Sequence, residues 1–157
     1  MIKVLAALAV AFFGPVAAAS AAVSGTEAFT IFSSGGARTV TGTGVFNGVG
    51  SQFVDARQDN PNGTFTARER LVFPEGTLVT ATAGSRSASF DATTCVRTVT
   101  SSGTLAVLSG SGRFTGATGG GTFSARAVLR GTRGPSGCSD EHLVILVIRV
   151  ASTLTLP

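Results

Sequence analysis

Ser109-Gly-Ser-Gly-Arg-Phe-Thr-Gly-Ala-Thr-Gly-Gly-Gly-Thr-Phe-Ser-Ala-Arg-Ala-Val-Leu-Arg130 is the stretch whose reading decides the fold. Its second part alternates cleanly: Phe123, Ala125, Ala127 and Leu129 fall on one face, and Thr122, Ser124, Arg126 and Arg130 on the other. Period 2 sustained from Thr122 to Arg130 describes a half-buried antiparallel strand. The first part is punctuated by Gly110, Gly112, Gly116 and Gly119 to Gly121, which permit positive φ, bulges and close backbone approach. Glycines ahead of a strand suit a sheet that bends sharply, as a small closed barrel requires.

Working outward, the same short-strand grammar recurs. Thr26 to Phe32 reads as a first strand. Arg38 to Arg57 is β-rich but broken by glycines, so it reads as one bent strand or two joined by a bulge. Asp59-Asn-Pro-Asn-Gly63 is a turn, Thr64 to Phe73 a strand, and Pro74-Glu-Gly76 a turn into Thr77 to Ala83. Short strands are expected at 87–90, 94–100 and 104–108, a loop at 131–137, and a last strand at 143–154. No segment carries a 3.6-residue period with caps, so the class is all-β, a barrel or a β-sandwich.

Two segments also resemble a known family. Gly112-Arg-Phe-Thr-Gly-Ala-Thr-Gly119 resembles the G-x-F-x-G-A-x-G segment of the allene oxide cyclase and dirigent-like superfamily. Leu71-Val-Phe-Pro-Glu-Gly-Thr-Leu78 resembles the F-x-D-G-T hairpin of the same proteins. The resemblance implies a small, calycin-like, eight-stranded antiparallel barrel, often trimeric, with an apolar lumen. It does not carry over a catalytic residue, and the chain has no tyrosine to match any tyrosine used by dirigent relatives.

At 157 residues there is room for one domain. Its start reads differently. Met1-Ile-Lys3, an apolar run from Val4 to Phe13 and A-x-A sites at Ala17–Ala19 and Ala19–Ala21 read as a signal peptide over 1–22. That leaves a single domain over 23–157, expected outside the cytoplasm, extracellular or periplasmic. The apolar run is shorter than the ~20 residues a membrane span requires, so no span is expected in the mature chain.

Beyond the leader the chain holds eleven arginines and eight acids. The arginines are dispersed, and without tryptophan or tyrosine no basic patch interleaved with stacking aromatics appears, so nucleic acid is not expected as a partner. Leu143 to Ile148 is apolar on both faces. Either another part of the chain covers its outer face, or a second subunit does; the resemblance favours a homo-oligomer, a dimer or trimer.

Candidate chemistry is sparse. Cys95 and Cys138 are an even pair in an exported chain, and a disulfide is expected. The single histidine, His142, lies beside Asp140 and Glu141, but adjacent residues of an extended chain project apart, so no metal is expected and no cofactor motif is present. Asn62-Gly-Thr64 fits a glycosylation sequon. Glu69 shares a strand face with Phe65, Ala67, Leu71 and Phe73, and Arg149 shares one with Leu143, Ile145 and Val147. The lumen candidates are therefore Glu69, Phe65, Phe73, Phe123 and Arg149, with Asp55 and Arg57 a weaker pair on the face of Phe53. As structure, these charges are ion pairs or strand ends. As function, they are polar fixtures in a cavity. Two classes stay open: a non-catalytic secreted barrel that binds a small apolar molecule or serves structurally, and a cyclase or dirigent-type guide of a reactive intermediate.

Overall fold

The computed structural model describes residues 21–157, and the signal peptide expected over 1–22 lies outside them but for its last two residues. The chain is all-β. Eight strands follow in order: β1 Val23–Ser33, β2 Arg38–Gly44, β3 Gly48–Asp59, β4 Thr64–Phe73, β5 Gly76–Asp91, β6 Val96–Gly112, β7 Thr118–Gly134 and β8 Gly137–Leu156. They form one antiparallel sheet rather than two stacked ones. Each strand pairs with its sequence neighbour, and β8 returns to pair with β1 from Val23↔Leu156 to Ser33↔Leu146, closing a ring.

The later strands are longer than the sequence pattern suggests. The segments at 77–83 and 87–90 are one strand, β5, and those at 94–100 and 104–108 are one strand, β6. Gly84 and Gly103, which look like breaks, face one another across the β5–β6 ladder. Between Arg38 and Asp59 there are two strands, separated by the turn Val45-Phe46-Asn47. The expected loop over 131–137 is mostly strand, turning only at Pro135-Ser136.

Alternate residues of every strand enter the ring. Phe29, Ile31, Val40, Phe65, Leu71, Phe73, Leu78, Leu105, Phe123, Val150 and Leu154 form one buried cluster with Phe46 and Phe114. Burying a Leu or Phe side chain stabilises by about 1.5–3 kcal/mol, so this inner layer is the main source of stability. It also accounts for one of the two apolar faces of the last strand. Leu146, Ile148 and Val150 line the interior, while Val144 and Ile145 are exposed outside.

The meander places its turns alternately at two ends. One end, here the floor, holds the turns at 45–47, 74–75 and 113–117 together with Val23 and Leu156. Two of these turns throw a phenylalanine inward. Phe46 packs edge-on against Phe73 at 4.8 Å and against Phe114 at 4.9 Å, and both Phe46 and Phe114 are fully buried. Phe114 is folded in by a tight turn in which its N–H donates to the Ser111 carbonyl and Ala117 N–H donates back to the Phe114 carbonyl. Gly48 makes room for the Phe46 ring, which would overlap any Cβ placed there. Gly44 holds φ at 134°, and a Cβ there would strike the Thr26 carbonyl.

The opposite end, the mouth, carries the turns at 34–37, 60–63, 92–95 and 135–136. Here the β5–β6 and β7–β8 hairpins are fastened together. Cys95 and Cys138 form the expected disulfide with their Cα atoms 5.5 Å apart. Gly131 N–H donates to the Cys95 carbonyl at 2.8 Å, and Arg133 donates to the Thr93 carbonyl at 2.6 Å. Among the described residues no helix is long and apolar enough to cross a membrane.

Candidate functional site

Between the phenylalanine floor and the mouth the ring encloses a cavity of about 90 Å³. Its lower wall is apolar, made by Ile31, Leu71, Leu105, Phe123, Ile148 and Val150. Its upper rim is polar, made by Arg38, Arg57, Glu69, Thr82 and Ser101. Phe65 and Phe123 face each other there at 6.0 Å. Period 2 along β4 puts Glu69 between Ala67 and Leu71 on the inward face, and it is half-buried.

Glu69 sits at the end of a short relay. The Gln52 amide donates to Glu69 Oε2 at 2.9 Å, and Arg38 donates to Gln52 Oε1 at 3.3 Å. Gln52 is buried on β3, opposite Leu71 in the β3–β4 ladder. Burial pushes the Glu69 carboxyl above its ordinary value; the Gln52 hydrogen bond and the charges of Arg38 and Arg57 pull it part of the way back. Thr82 is buried beside it, and its hydroxyl has no partner. The guanidinium of Arg57 closes the rim by lying 4.2 Å over the Phe65 ring. Asp59 fixes it there, accepting from Arg57 at 3.1 Å while Arg86 reaches the same carboxylate at 3.3 Å. The Arg57 hydrogen bond, aided by the charges of Arg57 and Arg86, holds the Asp59 carboxyl below its usual range.

The lumen candidates divide three ways. Glu69, Phe65 and Phe123 line the cavity. Phe73 is interior but belongs to the floor, 5.6 Å from Phe114. Arg149 does not enter the ring: it is exposed on the outer wall, because Ile148 and Val150 take the inward positions of β8. Asp55 and Arg57 are not a pair either. A bulge between Val54 and Ala56 resets the alternation, so Asp55 pairs outside with Arg70 at 2.7 Å while Arg57 turns to the rim.

A second buried carboxyl escapes a reading that looks only for charge pairs. Glu27 is fully buried at the floor, where its Oε2 accepts the Phe46 N–H at 2.9 Å and its Oε1 has no partner. Burial raises its pKa, opposed by the amides of Phe46, Thr43 and Val45. Its signal was its parity with Phe29 and Ile31 along β1. Among the described residues no group of His, Cys, Asp or Glu could hold a metal ion, and His142 is exposed. Compared with protein-family models, curated proteins and solved structures, the chain matches none.

Proposed function

We propose that this chain is an exported, non-catalytic β-barrel that holds a short, mostly apolar ligand with one hydrogen-bonding end in the mouth cavity. The ring of eight antiparallel strands supports the barrel reading, as does the resemblance of Gly112 to Gly119 to the allene oxide cyclase and dirigent-like, calycin-like barrels. A disulfide in a chain with a leader-like start supports export to an oxidising compartment.

The observation that carries the binding reading is the cavity itself: an apolar cup of about 90 Å³ with Glu69 and the unpartnered Thr82 hydroxyl at its rim. Small-molecule sites have this composition, apolar walls with a few convergent polar groups. Its size restricts the ligand. An apolar cavity of about 150 Å³ holds benzene, and drug-sized ligands occupy about 300–1,000 Å³. The ligand is therefore a fragment, unless Arg57 swings off Phe65. That size also weighs against the cyclase alternative, since a flexible intermediate must fit before it can be steered. Glu69, accepting from Gln52 at 2.9 Å, is the polar group that would meet the hydrogen-bonding end of the ligand.

The test is an NMR titration of the phenylalanine rings with cyclopentanol. Shifts should concentrate on Phe65 and Phe123, leaving Phe46 and Phe114 still, and Ala125→Leu, which fills the cup, should abolish them. Equal shifts at the floor, or binding that survives Ala125→Leu, would dismiss the site and leave a purely structural role.

A further inference from the structure

A hollow larger than the interior cavity lies on the outside of the ring. The outer face of β5 to β8 is dished into a groove of about 810 Å³. Ser87, Thr100, Ser102 and Ser124 supply a hydroxyl-rich bed, with Val128, Ile145 and Val147 along one side. Over this bed stand Arg126 and Arg149. Register places Arg126 opposite Val147, and Arg149 opposite Ser124, so the two arginines are diagonal neighbours across the β7–β8 ladder. Diagonal positions lie about 7–8 Å apart, within reach of long side chains, and like charges so placed repel.

The sheet does nothing to relieve that repulsion. Neither arginine takes part in an ion pair or side-chain hydrogen bond among the described residues, and no acidic residue lines the groove. Three other arginines do have an acid beside them: Asp55 takes Arg70, and Asp59 takes Arg57 and Arg86, the last of which also lines the groove. Arg68, on the far wall, lines a separate, alanine-rich hollow.

We propose that this groove binds a linear acidic polysaccharide, a chain of uronate-bearing sugars. The charge pattern selects an anion, and guanidinium forks match carboxylates in two-point contacts. The bed selects a sugar. Serine and threonine hydroxyls donate and accept alike, as a row of sugar hydroxyls requires, and the aliphatic side can receive the C–H face of the rings. Single-stranded nucleic acid fits less well, because no aromatic side chain lines the groove to stack a base. The site is separate from the mouth cavity and stands or falls apart from it.

The test is calorimetric titration of the disulfide-bonded protein with tetragalacturonate at low ionic strength, where surface charge acts with least screening. Losing two charge-assisted contacts should weaken binding roughly tenfold or more in the double variant Arg126→Gln/Arg149→Gln. Ser124→Glu, which sets an internal carboxylate opposite Arg149, should weaken it likewise and decides the matter if the double variant folds poorly. Arg68→Gln should leave binding within about twofold, since its charge lies outside the groove and long-range terms are screened. Neutral maltotetraose should not bind. Absence of binding by tetragalacturonate, an equal loss in Arg68→Gln, or equally tight binding of a DNA oligonucleotide of the same charge would overturn the proposal.

Discussion

The two ends of this ring are built from the same alternating strands and come out opposite. At the floor, the turns at 45–47 and 113–117 send Phe46 and Phe114 inward, and the space between strands is filled by rings at 4.8–5.6 Å. At the mouth, the turns keep their polar residues outside, and order comes from the Cys95–Cys138 bond and from Asp59 gripping Arg57. The interior there keeps its cavity. Turn chemistry, more than strand chemistry, sets what each end can do: one end is packed shut, and the other is fastened at its edge and left hollow.

The contrast can be broken at the floor first. Phe46→Ala removes a fully buried ring packed against Phe73, Phe114 and the Arg113 guanidinium, and should cost about 3–5 kcal/mol. Urea unfolding measures it; a loss under about 1 kcal/mol would mean that the floor is not the packed end. At the mouth, the double variant Cys95→Ala/Cys138→Ala releases a loop of 43 residues and should cost about 2–4 kcal/mol. The same transition followed with and without reductant gives this figure, and the floor rings should keep their NMR shifts in the folded variant.

Acidity separates the buried carboxyls from the exposed ones. Glu27 has a raised folded pKa, so between the ordinary glutamate value and that raised value the native state holds a proton that the unfolded chain has released. Its contribution is full below the ordinary value and is lost as pH rises through the folded pKa. Asp59 and Asp91 are lowered and act in the other direction: their contribution is present above the ordinary aspartate value and is lost as pH falls through their folded pKa values. The windows do not overlap. Denaturation midpoints should therefore fall from about pH 4 upward, Glu69 acting in the same direction as Glu27, and Glu27→Gln should remove its share of that fall. A wild-type midpoint that rises through this interval would contradict the buried carboxyl at the floor. Glu69→Gln should be the mildest change, within about 1 kcal/mol because an amide oxygen can still accept from Gln52, while altering cyclopentanol affinity.

Much of this was legible along the chain, and the exceptions share a cause. Glu69, Phe65 and Phe123 were placed by period 2 because β4 and β7 keep strict alternation through them. Asp55 and Arg57 part company because one bulged residue, Asp55, inverts the faces that follow it, and bulges leave no compositional mark. Arg149 was misplaced because β8 is apolar on both faces, so alternation there carries no information about which side is inside. Gly84 and Gly103 read as breaks because a glycine in a bent strand looks like a glycine in a turn. The family-like segment at Gly112 to Gly119 proved to be a turn that carries the Phe114 plug.

The ring closure has a consequence for the order of assembly. Seven of the eight strand pairings join neighbours along the chain, and hairpins of that kind form in microseconds. The eighth joins Val23 to Leu156, the two ends of the described strands. Nothing local can nucleate that seam, so its loop entropy is met last, when the curvature of the other seven pairs has brought the edges together. Until then β1 and β8 are two bare edges offering unpaired amides and carbonyls to any other chain. The vulnerable species in this protein's life is thus an open, nearly complete sheet, and its lifetime is governed by how fast the last strand finds the first.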